Sequence, residues 1–540
     1  MSRNVQLIIL LAVFDLLMSL PYLVPGTGYL ALIGLVPLLF AEKLASETKM
    51  RRFCLWHYSA FLVWNFATTF WVCNATVGGG IFASAANALQ MSLIFGLFRY
   101  SKKYLRGSLP YLFLMVAWLS WERYYLVWAQ ISWPWLLLGN AFARSTSWIQ
   151  WYEITGTMGG SLWVWAMNLG LFGILTAVQS GRWKENNAKA KAAAIIGMCL
   201  LFFGPLTASL LLWPKPDSGR LDVYIAQPNI DPYNKFGGMT QEEQNQTLLN
   251  QMADAPKDRP LLMLAPETFT NDVITNDLLL SPTIRSFDSF LKAFPKANLM
   301  FGASAHEYIN SALRPSQTAR QLNDGSTWVE SHNSALITDC TSRTEIYHKS
   351  KLVVGVEMTP YPAIFRHVDE WLGGVMGRDV GQKEVSNLNF YEYDDSGSVK
   401  GSFPIGCAVC YESVYPEHCI EYVRRGARLL TVITNDAWWK DTPGYRQHLS
   451  YASLRAIETR RWIARCANTG ISAIIDPSGK ILRKTSWWQK ETLHESVGLR
   501  DDVTFFVRHG DYVGRISVLC FLLLFLDLLV LIFTHRKLEE

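Results

Sequence analysis

Apolar residues are unevenly spread along the chain. Long apolar runs with few charges lie before residue 214 and again after 515, while the stretch between alternates short apolar and polar segments. About 20 residues of helix cross the hydrocarbon of a bilayer, so each long run predicts a membrane span. Seven precede the alternating stretch, at roughly 5–24, 28–41, 55–74, 80–98, 109–128, 160–180 and 192–213; an eighth, ISVLCFLLLFLDLLVLIF, covers 516–533. The first resembles a signal peptide, but the YLVPGTGY that follows has no small-x-small cleavage site, so it reads as a retained span.

Charge orients these spans. Lys and Arg cluster in 42–52, 99–106 and 181–191, after spans two, four and six, and Arg3 and the tail HRKLEE (535–540) fall on the same side of an eight-span chain. Positive loops mark the cytoplasm. The block 214–515 follows span seven and is therefore expected outside. The net charge of +5 is largely explained by these loops and gives no reason to expect nucleic acid.

Within 214–515, LDVYIAQPNI (221–230), LLMLAPE (261–267), ANLMFGAS (297–304), NSALITD (333–339), SFPIGCAVC (402–410), ARLLTVITND (427–436) and GISAIID (470–476) predict strands. QEEQNQTLLNQMA (241–253) and RQHLSYASLRAIETRRWIARCA (446–467) predict helices, and DPSGK (476–480) a turn between two strands. Strands alternating with helices indicate an α/β domain with covered sheets. The expected organisation is a membrane domain at 1–213, an α/β domain at 214–515 and a last span with its tail at 516–540.

Chemistry concentrates at strand ends. Glu267 follows Ala-Pro after the second strand, Lys349 follows the hairpin NSALITD/RTEIYH, and Cys410 ends GCAVC. Carboxyl ends of strands are where α/β proteins assemble sites. A thiol has a free pKa of about 8.5 and needs a base or a cation to become nucleophilic. Glu267 could take its proton and Lys349 could stabilise an oxyanion, but 82 residues separate the first two and 61 the next. Surface or packing roles remain open for each. Cys407 and Cys410 could instead be a redox pair or half a metal site. Residues three apart in a strand point to opposite faces, and no second cysteine pair completes a four-ligand set. Cys407 then reads as a small core residue. Five cysteines lie in the block (Cys340, Cys407, Cys410, Cys419 and Cys466), so pairing would leave at least one thiol free.

In this order, APE, HKSKLV, GCAVCYES and TNDAWW resemble the nitrilase superfamily, and with the seven-plus-one spans they resemble its membrane-embedded branch, the apolipoprotein N-acyltransferases. The segment 447–480 and WPWLLLGN (133–140) extend the likeness over nearly the whole chain. The resemblance implies an αββα sandwich outside a bacterial inner membrane. Its catalytic triad would be Glu267 as general base, Lys349 as oxyanion stabiliser and Cys410 as nucleophile. Glu357, Glu412 and Tyr411, the last through its backbone N–H, would support them. Where the family commonly has Pro-Phe-Gly-Glu this chain has Val354-Gly355-Val356-Glu357; where it has Phe-Gly the chain has Trp439-Lys440; and Phe236 replaces its usual tryptophan.

The implied reaction moves an acyl chain from a phospholipid to the α-amino group of a diacylglyceryl-cysteine on an apolipoprotein. It proceeds through a thioester on a monomer, with no metal or organic cofactor. The rivals are a membrane-tethered amidase using water and a catalytically inactive sensor on the same scaffold. Two further features are Glu122-Arg123 in span five, read as a functional pair or an interfacial ion pair, and the aromatic segment 358–377, read as a membrane-touching arm or as surface packing. Cysteines introduced within 240–250 should react with an impermeant thiol reagent from outside the inner membrane; reaction only from the cytoplasmic side would overturn the span count.

Overall fold

The computed structural model describes residues 2–233, 235, 237–316, 318–371, 376–377 and 379–539. Phe236 therefore lies outside the described residues, as do 372–375 of the aromatic segment. The chain forms two compact units, residues 1–213 with 509–540, and residues 214–508.

In the first unit, six helices are long and apolar enough to cross a membrane: Arg3–Leu23, Gly28–Glu47, Val77–Ser101, Tyr152–Gln179, Ala188–Leu211 and Tyr512–Thr534. The runs at 55–74 and 109–128 are helices as well, Phe53–Thr69 and Leu109–Val127. The first has 17 residues, and the second carries Glu122 and Arg123, so both fall short of the six. The second predicted span reaches Glu47 because Glu42 is buried and paired, with Lys102 Nζ at 2.6 Å and Arg99 Nε at 3.5 Å. Lys43 Nζ donates to Gln179 Oε1 at 2.8 Å. These contacts gather the helix ends near 47, 101 and 179 on one side of the unit. Glu122 and Arg123 have separate partners. Arg123 Nη1 meets Asp511 Oδ2 at 2.9 Å, while Glu122 Oε1 accepts from the Leu138 N–H at 3.0 Å and Trp118 Nε1 at 3.2 Å.

The second unit is built from two sheets. Its strands are β1 Gly219–Gln227, β2 Leu261–Leu264, β3 Thr270–Ile274, β4 Ala297–Asn310, β5 Arg320–Gln321, β6 Thr327–Asp339, β7 Thr344–His348, β8 Leu388–Tyr393, β9 Val399–Val409, β10 Leu429–Thr434, β11 Ile463–Ala467, β12 Ala473–Ile475, β13 Ile481–Lys484 and β14 Glu491–Leu499. One sheet runs β14-β1-β2-β4-β6-β5, with β3 on β4 and β7 on β6; the other runs β13-β12-β11-β10-β9-β8. The central strands β1, β2 and β4 are parallel, as are β9, β10 and β11.

Strands buried on both faces need near-continuous apolar runs. In β1, Leu221, Val223 and Ile225 join the core between the sheets, which also holds Ile405, Cys407, Val409 and Ile433 from the other sheet. Tyr224 and Ala226 alternate with them and face the helices Gln241–Met252 and Pro282–Leu291. The helices Pro416–Arg424 and Pro443–Thr459 cover the opposite sheet. The order helix, sheet, sheet, helix is the αββα sandwich.

Two local readings change. The predicted helix 446–467 is a helix and a strand: Pro443–Thr459 stops at Arg460, which takes a left-handed conformation with φ +50°, and Ile463–Ala467 pairs with β10. Its periodicity hid the break because this strand is buried on both faces and shows no alternation of exposed and buried positions. Cys410 is not a strand residue either. β9 ends at Val409, and Cys410 opens a short turn with φ +51°.

A close approach fixes the strand-end geometry. A Cβ on Gly302 of β4 would lie 2.5 Å from the Thr268 nitrogen and 2.6 Å from the Glu267 Cα. Gly302→Ala should therefore destabilise the chain by about 1–3 kcal/mol in denaturant unfolding. Gly401→Ala, whose added Cβ would meet only Glu392 Oε2 at 3.9 Å, should be near neutral.

Candidate active site

Glu267, Lys349 and Glu357 meet at the carboxyl ends of β2 and β7. Lys349 Nζ is 3.2 Å from Glu267 Oε1 and 2.8 Å from Glu357 Oε1. The Asn333 amide, from β6, donates to the same two oxygens at 2.8 and 2.7 Å. Two carboxylates and two donors thus close a ring. The backbone N–H of Asn435, just past β10, donates to Glu267 Oε2 at 3.1 Å, and that of Val353 to Glu357 Oε2 at 2.7 Å.

Lys349 is 1% exposed. Burial alone would lower its pKa, but the charges of Glu357 and Glu267 outweigh burial and hold it well above the usual range. Both carboxylates thus favour its ammonium form. Cys410 feels the opposite balance: burial and then Glu267 push its thiol well above the ordinary value, against the pull of Lys349. Both influences favour the protonated thiol over the thiolate.

The turn that carries Cys410 is fixed from both sides. Glu412 Oε2 accepts from the Val409 N–H at 2.8 Å, and Oε1 accepts from the Tyr347 hydroxyl and the Ser350 N–H, both at 2.7 Å. His418 Nε2 lies 3.3 Å from Oε1. Burial raises the Glu412 pKa, but His418 and these donors overcome it and hold it at about 2. Glu412 is thus a clamp between the turn and the loop after Lys349, rather than a member of the ring. Tyr411 is buried with its ring edge-on to Tyr415. Opposite them, His448 Nε2 lies 3.1 Å from the Cys410 carbonyl oxygen and 2.9 Å from Ser413 Oγ, while its Nδ1 lies 3.0 Å from Asp436 Oδ1. Arg465 Nη2 bonds the other Asp436 oxygen.

Cys407 is buried in the core between the sheets, and burial pushes its thiol up to about 12. All nine cysteines are unpaired. Sequence reasoning missed Asn333, which lies inside a quoted strand but whose role depends on pairing. It also missed Asp436 and His448 as supports of the turn, and Lys235. The ammonium of Lys235 donates to the Thr268 carbonyl beside Glu267, and burial lowers its pKa to about 8 against the pull of Glu267.

Comparison with known proteins divides the chain in the same way. Residues 16–170 match the apolipoprotein N-acyltransferase N-terminal domain and residues 307–501 the carbon-nitrogen hydrolases. Lys349, Glu357, Cys410 and Glu412 lie inside the second match, and Glu267 precedes it. An apolipoprotein N-acyltransferase of Chlorobaculum tepidum is 28% identical over 505 residues, 91% of this chain and 90% of that one. One of Geobacter metallireducens is 28% identical over 510 residues, 92% of this chain and 90% of that one. Nit3 of Saccharomyces cerevisiae, a solved nitrilase-superfamily structure, is 15% identical with a TM-score of 0.36, covering 53% of this chain and 92% of its own.

The depressed pKa of Glu412 sets a pH dependence. A carboxylate lowered from 4.5 to about 2 contributes stability that is complete above 4.5 and is lost as pH falls towards 2. Glu412→Gln should cost about 2–3 kcal/mol at neutral pH, since a charged acceptor is lost to several donors. Denaturant unfolding of the full chain in detergent, between about pH 6 and pH 3, should then fall less steeply for the variant than for the parent.

Proposed function

As the chain belongs to the apolipoprotein N-acyltransferase family, we propose that it moves an acyl chain from a membrane phospholipid to the α-amino group of a diacylglyceryl-cysteine on an apolipoprotein. The observation that carries this reading is the ring in which Lys349 Nζ lies 3.2 Å from Glu267 Oε1 and 2.8 Å from Glu357 Oε1, at the strand ends where Cys410 opens the turn after β9. The spans keep the chain in the bilayer from which both substrates come. The loop charges favour a periplasmic catalytic unit at the bacterial inner membrane.

In the first half-reaction Glu267 takes the thiol proton as sulfur bonds to the ester carbonyl carbon. The developing oxyanion is stabilised by Lys349 and the Tyr411 backbone N–H. Collapse breaks the carbon–oxygen bond, and the lysophospholipid leaves with the proton from Glu267. In the second half the acceptor's neutral amine attacks the thioester carbonyl carbon, passing a proton to Glu267. The carbon–sulfur bond breaks, and that proton returns to the thiolate. Glu357 keeps Lys349 in place, and Asn333 holds the two carboxylates apart. The chain on either side of Glu357 exposes Val356, Ile364 and Trp371, apolar surface that suits a hydrocarbon substrate.

The tethered-amidase reading would give free carboxylate, and the sensor reading no product. Purified protein exposed to phospholipid without acceptor should gain the mass of one acyl chain, sensitive to hydroxylamine and absent from Cys410→Ala. Two-substrate kinetics should be ping-pong. Lys349→Met should lose at least about 10²–10³ in rate, the usual cost of an oxyanion donor. Transfer at the normal rate with no thioester and intersecting lines would exclude the mechanism.

A further inference from the structure

Beyond the catalytic ring, β4 and β6 continue as a long antiparallel pair. Glu307 and Glu330 are directly opposite in register, and His332 is opposite Ala305. Residues two apart on a strand share a face, so Glu330 and His332 project together with Glu307 across from them. Like charges directly opposite in a sheet repel, and here one of them, Glu330, is only 8% exposed.

His332 sharpens the point. Its Nδ1 lies 2.8 Å from the Val380 carbonyl oxygen, so that nitrogen carries the proton and Nε2 offers its lone pair. His332 is 6% exposed, and its buried Nε2 has no hydrogen-bond partner among the described residues. Among the described residues the nearest acidic oxygen, Glu307 Oε2, is 3.8 Å away, beyond hydrogen-bond length. One donor atom from each of Glu307, Glu330 and His332 lies within 4.8 Å of the other two. The His348 ring stacks on His332 with centroids 4.1 Å apart.

We propose that Glu307, Glu330 and His332 bind one borderline divalent metal ion of the zinc class, which clasps β4 to β6. Two carboxylates neutralise a dication, the imidazole selects a first-row transition metal over magnesium or calcium, and a fourth position stays open to water. The bond from Nδ1 to a backbone carbonyl is the arrangement that orients metal-bound histidines. It also links the ion to the catalytic ring. The Val380 N–H donates to the Ser331 carbonyl at 2.8 Å, and the neighbouring Asp379 N–H to the Glu357 carbonyl at 2.8 Å. A filled site braces the strap that holds the backbone of Glu357. The rival arrangement is a simple ion pair of protonated His332 with Glu307.

The test uses the full chain in detergent on a Cys410→Ala background, which removes the one partly exposed thiol beside the ring. After chelation and reloading with Zn²⁺, metal content is measured following desalting, and Co²⁺ is used as a visible-absorption probe. The expected result is one equivalent of Zn²⁺ more than in His332→Gln or Glu330→Gln, with tetrahedral-type Co²⁺ bands absent from both. Zn²⁺ should raise the unfolding temperature of the parent by the order of 5 °C and leave the variants unmoved. Glu307→Gln, at a half-exposed position that folds regardless, should weaken binding. Equal metal content and equal thermal shifts in parent and all three variants, or no uptake by the parent, would overturn the proposal in favour of the ion pair.

Discussion

A buried ammonium is the constraint from which the rest of the catalytic unit follows. Lys349 is almost wholly removed from water, and a lone charge there would cost several kcal/mol. Glu267 and Glu357 offset that cost, but two carboxylates close to one ammonium repel each other and need further donors. Asn333 supplies one to each, and backbone N–H groups from Asn435 and Val353 supply the rest. These donors come from β6, from the end of β10 and from the loop after Lys349. Holding one lysine charged therefore requires both sheets to be in register.

The parallel strands explain why these groups can converge. β2, β9 and β10 deliver Glu267, Cys410 and Asn435 from their carboxyl ends, where the chain leaves the ladder and side chains are released from strand alternation. Two of these exits carry non-glycine residues at positive φ, Thr268 at +46° and Cys410 at +51°. Such backbone costs of order 1–3 kcal/mol and persists where surroundings over-determine it. Around Cys410 the determinants are visible: Glu412 clamps the N–H groups on one side, and His448, oriented by Asp436, meets the Cys410 carbonyl on the other.

Much of this was legible in the residues. Apolar runs mark the helices of the first unit, and alternation with helical stretches marks the α/β unit, because burial dictates both patterns. Glu267, Lys349 and Cys410 could be singled out because each follows a recognisable strand. What could not be read is whatever depends on pairing. Asn333 is an ordinary strand residue until β6 lies beside the ring, and Glu307, Glu330 and His332 acquire a common purpose only through the β4–β6 register. The helix–strand break at Arg460 was lost for another reason: Ile463–Ala467 is buried on both faces and has no alternation to distinguish it from the helix before it. Periodicity reports burial, and where burial is total it reports nothing else.

The state of the thiols ties the chemistry to the compartment proposed for it. Five cysteines in an oxidising envelope invite pairing, yet all five stay free. Burial raises the thiol pKa of each, up to about 12 for Cys407 and Cys419. Thiolate is the reactive form, so a raised pKa disfavours oxidation of these groups. Cys410 shares this protection at rest, even though it is partly exposed and sits next to a cation. In the proposed mechanism its reactivity then depends on an ester arriving where Glu267 can take the proton during attack. A standing thiolate would be open to oxidants at all times, whereas in the proposed mechanism the thiol ionises only in the transition state, with a lipid bound.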